Sequence, residues 1–73
     1  MTKEIDIKTK AQVEKINRLA CEAPYEVWLT TDTLMLDARS LLGLYALVGK
    51  RARVLTEDSV GSKRLNRLVN KMS

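Results

Sequence analysis

The segment Met35 to Lys50, MLDARSLLGLYALVGK, decides how the rest of the chain is read. Ser40 stands where a helix N-cap is expected, directly before Leu41 to Val48, and Gly49 stands where that helix should stop. A serine oxygen accepts from the free N–H groups at a helix start, and glycine tolerates the left-handed backbone that ends a helix. A helix lying on a core needs one apolar stripe. Here Leu41, Leu42, Leu44, Tyr45, Leu47 and Val48 cover most of a turn's circumference, so only part of them can face inward. Leu44, Leu47 and Val48 are assigned to the core, and Leu41, Leu42 and Tyr45 to an exposed edge whose apolarity folding does not explain.

Upstream, YEVWLTTDTLMLDA reads as a β-hairpin. With Asp32-Thr33 as a two-residue turn, Leu29 faces Leu36 and Val27 faces Ala38 on one side, while Thr30 faces Met35 and Trp28 faces Asp37 on the other. Asp-Thr is a weaker turn signal than Asp-Gly because threonine resists positive φ, which leaves a longer loop open. Before the hairpin, TKAQ reads as a capping box in which Thr9 takes the third helical N–H and Gln12 reaches back to the cap. Val13, Ile16, Ala20 and Ala23 follow at helical spacing, and Pro24 ends the run. Cys21 falls beside that core face and is expected to be half-buried. Ile5 and Ile7 alternate with Glu4, Asp6 and Lys8, the pattern of a half-buried strand.

Downstream, RARVLTE places Ala52, Val54 and Thr56 on one face of a fourth strand. The chain ends in an amphipathic helix, with Leu65, Leu68, Val69 and Met72 at i, i+3, i+4 and i+7 and a basic side of Lys63, Arg64, Arg67 and Lys71. The order is β-α-β-β-α-β-α. A helical crossover makes the first two strands parallel, and the fourth strand fits antiparallel between them. The expected product is one α+β domain over residues 1–73, an open-faced β-sandwich in which three helices cover one face of a four-stranded antiparallel sheet.

Composition narrows the function classes. The 73 residues contain one cysteine and no histidine, which leaves few ligands for a first-row metal and no imidazole general base. No G-x-x-x-x-G-K-[ST] or G-x-G-x-x-G occurs. The chain is expected to be neither an enzyme nor a cofactor or metal binder. No apolar run approaches the roughly 20 residues of a membrane span, and a cytoplasmic location without membrane partners is expected. Charge is uneven. Residues 1–37 hold five basic and seven acidic side chains, a net −2, whereas residues 38–73 hold eight and two, a net +6. The basic stripe of the last helix makes nucleic acid or an acidic protein an alternative partner. Against RNA stands the lack of paired stacking aromatics on the strands. Trp28 and Met35, on the nominally open side of the sheet, leave self-association open as well.

The element order together with LDARSLLGLYALVGK resembles the HPr family, the phosphocarrier proteins of the bacterial sugar phosphotransferase system. In that family a serine opens a short helix as Lys-Ser-Ile-(Met/Leu)-Gly, and Arg39, Ser40, Leu41, Leu42 and Gly43 occupy the same pattern here. The resemblance runs nearly the whole chain, as pattern more than identity outside the serine motif. It implies the HPr-like open-faced sandwich. It also implies a phosphoryl-carrying histidine inside Gly-(Ile/Leu)-His-Ala-Arg-Pro, and counting back from Ser40 puts Thr9 at that histidine and Ala11 at its arginine partner. A chain without histidine cannot relay phosphate that way, because a threonine ester lacks the labile P–N bond. What the resemblance leaves is regulation of the phosphotransferase-system kind by protein docking: Ser40 as a phosphosite for HPr kinase, and Arg39, Leu41, Leu42 and Tyr45 as contacts for that kinase or a regulator.

Overall fold

Alternating apolar and charged side chains give each strand one face to bury and one to leave wet, and the observed sheet follows that alternation. The structure is a computed structural model that describes residues 1–73. Its elements are β1 (Thr2–Ile7), α1 (Lys10–Glu22), β2 (Val27–Thr30), β3 (Met35–Asp37), α2 (Leu41–Tyr45), β4 (Lys50–Thr56) and α3 (Ser62–Met72), with a 3-10 turn at Asp58–Val60. The strands lie in the order β1-β4-β2-β3, and every neighbouring pair is antiparallel. Ile5, Ile7, Val27, Leu29, Ala52 and Val54 are buried and form one core with Val13, Ile16 and Ala20 of α1, Leu44 of α2 and Leu65, Leu68, Val69 and Met72 of α3. On the other side Glu4, Asp6, Arg51 and Arg53 stay exposed. Arg51 bridges Glu4 at 3.2 Å and Asp6 at 3.0 Å there.

The hairpin pairs in the expected register, Trp28 with Asp37, Leu29 with Leu36 and Thr30 with Met35. No residue other than glycine takes positive φ, so Asp32-Thr33 closes the turn another way. The Thr31 N–H donates to the Leu34 carbonyl at 2.8 Å, and the Thr31 hydroxyl accepts from the amides of Thr33 and Leu34 at 3.3 and 3.1 Å. A side chain thus holds amides that a primed turn would have placed by backbone twist.

Three local expectations change. Thr9 caps α1 as foreseen, its hydroxyl accepting from the Gln12 N–H at 3.1 Å, but Gln12 reaches past the cap. Its carbonyl oxygen accepts from the Lys8 N–H at 2.9 Å and its amide donates to the Asp6 carbonyl at 2.8 Å. The Ile7 carbonyl is turned inward, accepting from Gly49 at 2.7 Å, so Asp6 and Lys8 present their groups to the free edge of β1. A carboxamide, donor and acceptor at once, satisfies that edge as a short strand would. Cys21 is exposed, because the buried stripe of α1 runs through Val13, Ile16 and Ala20 and the next residue turns away from it. The second helix ends at Tyr45 rather than Val48. Beyond it Leu47 and Val48 donate three residues back, to Leu44 and Tyr45, and Gly49 reverses the chain at φ 87°.

Candidate functional site

Ser40 holds the N-cap position of α2 through its backbone, its carbonyl accepting from the Leu44 N–H at 3.1 Å, while its hydroxyl makes no capping bond. The difference from Thr9 lies in the backbone: Thr9 is fully extended at φ −139°, ψ 160°, and Ser40 sits at φ −89°, ψ 92°. The expected side-chain cap is therefore absent, and the hydroxyl is left exposed next to Gly43. A Cβ on Gly43 would stand 3.3 Å from the Ser40 oxygen and 3.5 Å from a Leu36 methyl, so glycine keeps that approach open.

Arg39 does not stand free beside the serine. Its guanidinium donates to both carboxylate oxygens of Asp37, at 3.2 and 3.0 Å, and reaches Glu26 at 3.4 Å, while its own N–H also donates to Asp37 at 2.9 Å. These hydrogen bonds from Arg39 hold the Asp37 carboxyl below its ordinary value, and the same pair raises Arg39. The amide of Asn17 donates to the Ala38 carbonyl at 3.2 Å and so ties the segment before α2 to α1.

The apolar edge of α2 is uneven. Leu44 and Leu47 are fully buried, whereas Leu41, Tyr45 and Val48 are half-buried against the core. Leu42 is 83% exposed, more than any other large apolar side chain in the chain. Tyr45 leans on α1: its hydroxyl donates to Glu14 at 2.8 Å, which raises its pKa, and the Lys10 ammonium stands 5.9 Å from its ring. The sequence reading missed that contact, although Lys10 and Glu14, four residues apart, already marked one face of α1. Thr9 and Ala11 are exposed on either side of Lys10. The first turns of α1 and the Tyr45 edge of α2 thus form one continuous surface.

The basic residues of α3 divide. Arg64, Arg67 and Lys71 line one cleft against the end of α1, and Lys63 is not part of it. Trp28 is half-buried on the open side of the sheet and Met35 is exposed. No three histidine, cysteine, aspartate or glutamate side chains gather to hold a metal ion, and no helix is long and apolar enough to cross a membrane.

A four-stranded antiparallel sheet covered on one face by three helices, with a short serine-led helix before the last strand, defines an HPr-like open-faced α+β sandwich. The chain superposes on HPr-C-His from Thermoanaerobacter tengcongensis with a TM-score of 0.75 at 19% identity, over 99% of this chain and 90% of that one. It superposes on the phosphocarrier protein HPr from Bacillus anthracis str. Ames with a TM-score of 0.74 at 17% identity, over 100% of this chain and 96% of that one. No protein-family description and no curated protein matches the sequence. At such identity the likeness carries the fold.

Proposed function

We propose that this chain is a non-catalytic HPr-like protein that regulates by docking to another protein through the edge of α2, with Ser40 as its phosphorylation switch. The observation that carries the reading is the 83% exposure of Leu42, at a position for which the family resemblance implies an apolar docking residue. An exposed leucine alone is ordinary, but this one adjoins half-buried Leu41 and a serine hydroxyl engaged in no cap. Esterifying that hydroxyl breaks no capping bond. The chain has no histidine, so the relay chemistry of a phosphocarrier has no acceptor here, and Thr9 at the corresponding position is occupied as the cap of α1.

Phosphate on Ser40 would add about −1.5 to −2 charges beside the apolar edge, enough to change which partner it accepts. The test is incubation with HPr kinase and ATP, read by intact mass. Wild type gains one phosphoryl group, Ser40→Ala gains none, and Leu42→Asp is modified more slowly because the docking edge is spoiled. An unchanged wild-type mass sinks the switch. Label passing from phosphoenolpyruvate through enzyme I onto this chain would instead restore the carrier role.

A further inference from the structure

Away from α2, the end of α1 and the outer side of α3 enclose a cleft of about 330 Å³, at the small end of the roughly 300–1,000 Å³ of ligand-holding clefts. Its α3 wall is cationic: Arg64, Arg67 and Lys71 span eight residues, about 10 Å along a helix. None of the three forms a salt bridge, whereas Arg39, Arg51 and Arg53 each do. Arg64 lies over the Tyr25 ring at 4.9 Å, within cation–π range, which orders it before any ligand arrives. Leu19, Ala23 and Leu68 supply an apolar floor, and the α1 wall contributes a single carboxylate, Glu22.

We propose that this cleft binds an acidic peptide segment of a partner protein that carries an apolar anchor side chain. A volume at the small end of that range has room for one or two side chains. The asymmetry of the walls selects the chemistry. A peptide can turn its carboxylates toward α3 and its apolar side toward Leu19 and Ala23. A nucleic-acid backbone, charged at every step, has no apolar side to set against that floor. The surface is separate from the α2 edge, so this binding stands or falls independently of the Ser40 switch.

The test titrates isotope-labelled full-length chain with an end-blocked peptide of repeating Glu-Leu-Glu-Ala, following amide chemical shifts. Three competitors are run in parallel: its Gln-Leu-Gln-Ala counterpart, polyglutamate of equal length, and oligodeoxythymidine of equal charge. The expected shifts fall on Leu19 to Tyr25 and Arg64 to Lys71, with the Glu-Leu-Glu-Ala peptide bound most tightly. Arg67→Glu with Lys71→Glu should weaken it roughly tenfold, while Leu42→Asp leaves it unchanged. Both reversed side chains are exposed, and the peptide series on wild type needs no variant at all. Absence of binding, shifts centred on α2, or polyglutamate binding as well as the leucine peptide overturns the proposal. Oligodeoxythymidine binding as tightly as the peptide overturns it in favour of nucleic acid.

Discussion

Leu42 and Leu44 sit two residues apart on the same short helix, one 83% exposed and the other fully buried, and truncating each separates folding from surface. Leu44→Ala removes side-chain carbons from the middle of the core, a change that costs about 2–5 kcal/mol including the cavity left behind. A domain of 73 residues holds about 4–11 kcal/mol in total, so this one truncation takes a large share of it. Each kcal/mol moves the melting temperature of so small a domain by about 4–8 °C, which puts the loss at about 8 °C or more. Leu42→Ala removes the same atoms from a side chain that stays in water, and alanine is the better helix former, so stability should stay within about 0.5 kcal/mol. Urea unfolding followed by fluorescence of Trp28, the single tryptophan, with circular dichroism as second probe, measures both. A loss above about 1 kcal/mol for Leu42→Ala would mean that Leu42 packs within the fold, and the argument for a spare docking face would fail. A loss below that for Leu44→Ala would refute its place in the core.

Two further perturbations follow from polar groups. The Thr56 hydroxyl is buried with no hydrogen-bond partner, and such a group costs about 1–3 kcal/mol. Thr56→Val, which keeps the shape and removes the hydroxyl, should raise stability by about 1 kcal/mol, whereas Thr56→Ser, which keeps the hydroxyl and loses a methyl, should lower it by a similar amount. A valine variant that melts below wild type would show the hydroxyl to be paired. Asp37, held below its ordinary value of 3.8 by hydrogen bonds from Arg39, contributes stability that is present above the unfolded value and lost as pH falls through the folded one. Thermal melts from neutral pH downward should therefore show a decline beginning near pH 4 that is shallower in Asp37→Asn, and identical slopes would remove Asp37 from the acid limb.

The periodic parts of this fold were legible because each element buries one face and shows its period. Val13, Ile16 and Ala20, the alternation through Ala52 and Val54, and the Leu65 to Met72 stripe all lie where their spacing put them. Strand order followed from the helical crossover and the simplest placement of the fourth strand, antiparallel between the first two. What stayed hidden depends on non-periodic detail. Whether a serine at an N-cap position uses its hydroxyl turns on the local backbone, and Ser40 and Thr9 differ in both φ and ψ. Gln12 satisfies groups on β1 that only the finished sheet shows to be an edge. The division of the basic stripe, with Arg64, Arg67 and Lys71 in the cleft and Lys63 outside it, needs the position of α1 as well as the pattern of α3. Arg39 looked available beside Ser40 because its acidic partners are Asp37, two residues back, and Glu26, on the approach to β2.

That last pairing decides how a phosphate on Ser40 would act. Arg39 already gives Asp37 two guanidinium bonds and reaches Glu26, so it is not a free cation waiting for a third anion. A phosphate on the next residue must either draw Arg39 away from Asp37 or sit unpaired in a cluster of two carboxylates and one guanidinium. The first outcome loosens the contact that joins the end of β3 to the start of α2; the second leaves a concentrated negative charge next to Leu42. Both make the modified surface favour a cationic partner over an apolar one. Neither orders a new segment, because Asn17 and the backbone cap already hold Ala38 and Ser40 in place. A switch built here works by deepening the negative charge of a patch beside Leu42, and its partner should be chosen by charge.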